Sequence, residues 1–206
     1  MPNYVRHNVV IRGNKEDIAR CYEQITKGEG RFSFNNIIPM PESLHVTSGS
    51  ISAIADTWSR ASDEEKKEIE KKKKLTDKEM AQIRQIADNI AKYGYPTWYE
   101  WCIDKWGTKW DACEVVPDKG IECECYEKII TITFDTAWST PVPIFKELSK
   151  QYPSFVICVE YADEDLGSNC GTYALWEGEI QEEESKDYEF ACDIWGIDPE
   201  PEEEED

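Results

Sequence analysis

The chain has 206 residues, is 40% hydrophobic and 32% charged, and carries a formal net charge of −20. It is long enough to bury a core, but it has no apolar run near the roughly eighteen residues of a membrane-spanning helix and no signal-peptide-like stretch at its start. We therefore expect a cytosolic protein, and the acidity argues against direct binding to nucleic acid.

The first two elements predicted along the chain are a strand and a helix. Residues 4–12 alternate around a Val-Val-Ile centre, as a half-buried strand does. Asn14 is a suitable N-cap, and Ile18, Cys21 and Ile25 then recur at helical spacing. An amphipathic helix should therefore follow the strand directly.

A helical insertion is predicted over about residues 42–112. Ser62 can cap a strongly charged helix, and Thr76 with Glu79 has the spacing of a capping box that starts another. The lysines at 71–74 are neutralised by the glutamates before them, so a solvated helix face explains them better than a nucleic-acid contact does.

Half of the eight tryptophans lie in one short stretch of the chain, and a further one follows a predicted strand. Such dense tryptophans either fill a core or form a docking surface, because each buries a large apolar area and keeps an N–H that needs a partner. We interpret them as structural; the set is Trp98, Trp101, Trp106, Trp110 and Trp138.

The C-terminal half is predicted to be rich in strands. Residues 128–136 and 154–161 read as strands around a helix that starts near Pro141, which is a β-α-β pattern. Residues 171–180 and 186–195 then read as a β-hairpin, because apolar and acidic residues alternate in the second run. One face of that hairpin would present carboxylates, namely Glu177, Glu179, Asp187, Glu189 and Asp193.

Two motifs in this order carry a resemblance to a known family. They are Trp101-Cys-Ile-Asp-Lys-Trp-Gly-Thr-Lys-Trp-Asp-Ala112 and Phe134-Asp-Thr-Ala-Trp-Ser-Thr-Pro-Val-Pro-Ile-Phe-Lys-Glu-Leu-Ser149. Over about residues 1–180 the chain resembles the YubB-type ferredoxin-like proteins of phages and conjugative plasmids. The resemblance implies an α+β fold, a ferredoxin-like β-α-β-β-α-β sandwich with an inserted helical segment, and no known catalytic residues.

With the C-terminal hairpin added, we expect a single domain over residues 1–196, followed by a disordered acidic tail over 197–206. The acidity is concentrated there: residues 160–206 carry nineteen Asp and Glu residues and one base, Lys186. Residues 1–159 are nearly balanced, so the C-terminal quarter is an acidic surface.

Catalytic chemistry has few candidates in this sequence. The only histidines are His7 and His45, and no phosphate-binding loop, zinc-protease or nucleophile-elbow motif occurs. The eight cysteines include no Cys-x-x-Cys pair, which favours reduced core residues over a metal site or disulfides. We expect no enzyme, metal or cofactor, although a hydrolase with paired carboxylates stays open.

The acidic surface suggests a binding protein. Carboxylates can occupy the basic groove of a nucleic-acid-handling protein, so we expect a host partner such as a CRISPR effector and an anti-defence role of the anti-CRISPR or DNA-mimic type. Two alternatives stay open: the acidity confers only solubility, or the protein is a sponge for a small nucleotide. The sequence does not indicate the oligomeric state.

Overall fold

The computed structural model describes residues 3–47, 49–116, 121–124 and 127–199. The chain divides into two compact units. We call Met1–Pro39 with Lys105–Asp206 the sheet unit, and Met40–Asp104 the helical unit. Strands and helices are both present, so the predicted α+β class is confirmed.

The sheet unit is built on an antiparallel sheet. Within the described residues, its strands lie in the order β2-β3-β1-β4-β5-β6, and every neighbouring pair is antiparallel. The strands are β1 (Tyr4–Gly13), β2 (Ile121–Glu124), β3 (Glu127–Ala137), β4 (Val156–Asp163), β5 (Cys170–Trp176) and β6 (Glu179–Ser185).

Strand β1 lies in the interior of the sheet because it has apolar partners on both sides. Val9 lies opposite Ile132 of β3 and Val159 of β4, and these side chains are buried. Alternate β1 residues, from Val5 to Ile11, therefore point to one face, which is the core face. The predicted strand at 4–12 is thus confirmed.

Three helices of the sheet unit cover the sheet: α1 (Lys15–Ile25), α6 (Val142–Gln151) and α7 (Tyr188–Trp195). Phe145 of α6 packs on Phe134 of the core face, with ring centroids 6.4 Å apart. A Cβ added at Gly13, the last residue of β1 before the N-cap of α1, would meet Phe155 and Ile18, so glycine lets the strand and the helix pack closely at this corner. Helix α7 packs on the opposite face, against Ala162 and Cys170.

The helical unit contains α2 (Ser50–Arg60), α3 (Asp63–Lys73), α4 (Asp77–Tyr93), all but the last residue of α5 (Trp98–Lys105), and a 3-10 turn at Glu42–Leu44. Another 3-10 turn, at Phe34–Asn36, lies in the sheet unit. The side chains of Ser62 and Thr76 cap α3 and α4 as predicted, and Gly94 ends α4 in a left-handed conformation. Helices α2 and α4 bury Ala55, Met80, Ile83 and Ile86 between them. None of the described helices is long and apolar enough to cross a membrane.

The predicted C-terminal hairpin is wrong in its second strand. The partner of β5 is β6, residues Glu179–Ser185, which the sequence pattern placed partly in a turn. The run predicted as a strand over 186–195 instead contains α7. Residues 197–199 have no regular secondary structure, and the rest of the predicted tail lies outside the described residues.

Candidate functional site: an acidic sheet edge and its surroundings

The five predicted carboxylates do not lie on one hairpin face. Glu177 is in the turn after β5, and Glu179 begins β6 with its carboxylate 2.8 Å from Lys146. Asp187 is the N-cap of α7, while Glu189 and Asp193 lie on that helix. The residues are exposed, but they belong to a turn, a strand and a helix.

Helix α7 forms because capping signals outweigh the alternating pattern. The Asp187 side chain accepts a hydrogen bond from the Phe190 N–H at 3.1 Å, and Gly196 ends the helix in a left-handed conformation. Ala191 and Cys192 are the buried residues of this helix, and Ala191 packs with Ala162 and Cys170 of the sheet. Replacing Asp187 would therefore also remove a helix cap, so Asp187 is a poor position for a binding test.

The end of α7 is fastened to the sheet by Trp195. Its Nε1–H donates to the carbonyl oxygens of Ala162 and Asp163, at 3.1 and 3.0 Å. The Arg6 guanidinium lies 4.2 Å from the Trp195 ring centroid and donates two hydrogen bonds to Asp135, at 3.0 and 3.2 Å. Arg6 is thus committed to a largely buried ion pair and does not neutralise the surface acids.

The structure reveals a different acidic cluster at the β6 edge. Glu160 lies opposite Thr172, which lies opposite Glu184, and Glu182 lies opposite Ala174 in the adjacent row. Because cross-strand partners point to the same face, the three glutamates share the face on which α7 packs. All three are exposed. We call Glu160, Glu182 and Glu184 the acidic edge.

The acidic edge was not predicted from the sequence because glutamate is uncommon in strands. Residues 182–185 read as a turn, and β6 acquires strand structure by pairing with β5, whose alternation was recognised. The signal that could have revealed β6 is the regular alternation of side-chain types over 171–176. A strand of that kind is expected to pair with another strand that follows it in the sequence.

The five predicted structural tryptophans fall into three groups. Trp101 and Trp106 are 5% and 4% exposed, and the Trp106 Nε1–H donates to the Ile38 carbonyl at 2.9 Å. Trp98 and Trp110 are half-buried. Trp138 is 42% exposed, so it does not fill the core.

Burial shifts the pKa values of two core residues, His7 and Cys21, far from their ordinary values. His7 is fully buried, with its ring stacked 4.8 Å from that of Phe134, and burial lowers its pKa to about 3. The carbonyls of Val5 and Phe134 oppose this shift only in part, and neither ring nitrogen makes a hydrogen bond of good geometry. Burial also raises the pKa of Cys21 to about 12.

His45, the other histidine, is exposed in the helical unit. Free thiols are present at Cys21, Cys102, Cys113, Cys158, Cys170 and Cys192. Among the described residues, no group of three or more His, Cys, Asp or Glu side chains is placed to hold a metal ion.

Comparison with family models identifies one domain. Residues 105–206 match the model described as the ferredoxin-like domain in Api92-like protein. The chain therefore contains a ferredoxin-like domain. The match includes the acidic segment from 182 onward, which the sequence resemblance over 1–180 had left out, so that segment belongs to the matched domain.

Among solved structures, the chain is similar to the crystal structure of a protein api92 from Yersinia pseudotuberculosis. The identity is 10% and the TM-score 0.42, over 90% of this chain and 98% of that one. No curated protein matches the chain.

Proposed function

We propose that this protein binds a basic, nucleic-acid-handling partner through the acidic edge and the acidic residues around it. The observation behind the proposal is the concentration of carboxylates on one part of the sheet unit, where they far outnumber the basic side chains. Residues 160–199 carry thirteen Asp and Glu residues and one basic residue, Lys186, which lies 2.6 Å from Glu184. Most of these acids therefore have no cation from their own segment.

The arrangement within the sheet supports a binding role. Glu160 and Glu184 flank the neutral Thr172, and Glu182 lies two residues from Glu184 on the same face of β6. Three carboxylates therefore share one face of the sheet, and a cationic partner would be attracted to that face.

The spacing of these acids also fits a partner that normally binds phosphates. Residues two apart on a strand are separated by about 6.8 Å. That is twice the roughly 3.4 Å axial charge spacing of one DNA strand. Glu182 and Glu184 can therefore present two negative charges to a row of Lys or Arg side chains, and such association would be fast and sensitive to salt.

The biological setting is part of the proposal. A phage or plasmid origin, which the sequence resemblance suggested, would make host defence enzymes that handle nucleic acid the natural targets, and the protein an inhibitor in the host cytosol. A nucleotide sponge has less support. One cavity of the described residues, of about 570 Å³ between α2 and α3, is lined by charged side chains such as Asp56, Arg60 and Glu68 and offers no aromatic ring for a base to stack on.

A charge-reversal experiment with a matched control tests the proposal. Glu182→Lys with Glu184→Lys changes the acidic edge, and Glu16→Lys with Glu23→Lys makes the same change in net charge on the exposed face of α1. Immobilised wild-type protein should capture a basic protein from host lysate that both salt and a DNA duplex displace. The edge variant should lose this capture, and the α1 variant should keep it.

The other outcomes are equally informative. Equal loss in both variants would mean that only net charge matters, and retention in both would contradict a role for the edge. β6 is the last strand of the sheet, and charged residues on an edge strand also prevent aggregation. If the edge variant loses no partner but aggregates, the glutamates serve solubility.

A further inference from the structure

An exposed tryptophan and a half-buried one hold a lysine between them at one end of the sheet. The Lys109 Nζ lies 4.7 Å from the ring centroid of Trp110 and 4.8 Å from that of Trp138. Both distances are within the roughly 6 Å range of cation–π attraction. Trp138 follows the end of β3 and is 42% exposed, so a partner can reach its ring.

The backbone at Trp138 is strained, and its neighbours hold it in that state. Its φ is +73°, a left-handed conformation that is unfavourable for a bulky side chain and free of strain only for glycine. The Trp138 N–H donates to the Asn3 carbonyl at 3.0 Å, and the Asn169 side chain donates to the Trp138 carbonyl at 3.2 Å. Strain maintained in this way is typical of ligand-binding positions.

The surroundings of the Trp138 backbone are acidic. The Asn3 side chain donates to Asp163 at 3.2 Å, and the next backbone N–H, that of Tyr4, donates to Glu164 at 3.1 Å. Glu164 and Asp165 are exposed in the loop that also carries Asn169. These two carboxylates lie in the loop whose Asn169 donates to the Trp138 carbonyl, so this end of the sheet carries acidic as well as aromatic side chains.

We propose that Trp110 and Trp138 form a cation clamp that takes an arginine side chain of a basic partner in place of Lys109. The ammonium group of a lysine is strongly hydrated and sits on a flexible side chain. Lys109 can therefore move from the two rings into solvent with little loss of free energy. A guanidinium is less hydrated and stacks flat on an indole, so it gains more between the two rings. The clamp deepens the proposed function, on which its choice of a basic partner rests.

Binding of a hexa-arginine amide peptide, measured by calorimetry at physiological salt, tests the clamp. Trp138→Leu keeps an apolar side chain and removes the π face, so it should weaken binding about tenfold. Lys109→Ala removes the internal competitor and should strengthen binding several-fold. Val156→Ala changes an exposed apolar residue at the far end of β4 and should have no effect.

Hexa-lysine should bind wild type more weakly than hexa-arginine does, and this difference should vanish in Trp138→Leu. Thermal melts of each variant show whether it is folded, and Lys109→Ala provides a reading that does not depend on changing Trp138. If Trp138→Leu binds as well as wild type, or if Lys109→Ala weakens binding, the clamp is overturned.

The failure of the clamp can be separated from that of the proposed function. If Trp138→Leu binds the peptide as wild type does, and the double variant Glu182→Lys with Glu184→Lys binds it weakly, the clamp is refuted and the acidic edge is supported. If Trp138→Leu binds weakly and the double variant binds as wild type does, the acidic edge is refuted and the clamp is supported.

Discussion

Replacing His7 with phenylalanine should make the protein more resistant to acid. His7 is fully buried and its folded-state pKa is about 3, against an ordinary value of 6.5. Between these two values the unfolded chain binds a proton that the folded protein does not accept. Stability is therefore complete above pH 6.5 and falls as the pH drops toward 3.

The size of the effect follows from this linkage. At about pH 5 the unfolded state gains RT ln(1 + 10^1.5), or about 2 kcal/mol, from protonation of His7, and at about pH 7.5 it gains almost nothing. In wild type this decrease in the free energy of unfolding adds to the change caused by protonation of carboxylates over the same pH interval. His7→Phe keeps an aromatic ring beside Phe134 and removes the titration, so its loss of stability over the same interval should be smaller by about 2 kcal/mol.

Urea unfolding at the two pH values, followed by circular dichroism, measures this difference. His45→Gln changes the exposed histidine and should retain the wild-type pH dependence. The prediction is refuted if His7→Phe and wild type lose the same free energy of unfolding between about pH 7.5 and pH 5. Such a result would mean that His7 is protonated in the folded protein or reaches water.

Two further predictions concern stability. Trp106→Ala should cost about 3–5 kcal/mol because the ring is 4% exposed, and Trp110→Ala should cost clearly less because that ring is half-buried; thermal melts compare them, and equal losses would contradict the burial argument. Thr76→Ala should cost about 1 kcal/mol by removing the hydrogen bond to the Glu79 N–H, whereas Thr76→Ser should cost little; a loss of the same size in Thr76→Ser would show that the cap is not the cause, and hydrogen exchange of α4 measures both.

Elements whose signals are local were predicted well. Thr76 with Glu79 and the left-handed Gly94 mark the two ends of α4, and the structure has the helix between them. Asn14 likewise caps α1, and its side chain accepts from the Asp17 N–H. In these cases the residues that stabilise an element lie within it or beside it, so a reader of the sequence has all the information.

Elements decided by distant partners were predicted poorly. An apolar run of eight residues with alternating acids fits a strand or a helix, and α7 was decided by Asp187, Gly196 and the buried contacts of Ala191. β6 depends on pairing with β5, and the acidic edge depends on both. Trp138 adopts a left-handed backbone conformation just after β3. This conformation is rare for tryptophan, so the sequence did not predict it.

The pairing of β1 has a consequence for the protein during its synthesis. Gly13 lies opposite Lys128, Tyr4 opposite Ala137 and Val5 opposite Asp163, so β1 finds its neighbours in the sheet only after at least 115 further residues. At roughly 5–20 residues per second, translation leaves Val5, Val9 and Ile11 without their sheet partners for on the order of ten seconds. The helical unit has its residues close together in sequence and can pack in that interval. On the ribosome, β1 is therefore the part of the sheet that waits longest for its strand partners, whereas the helical unit has all of its own residues before β3 is made.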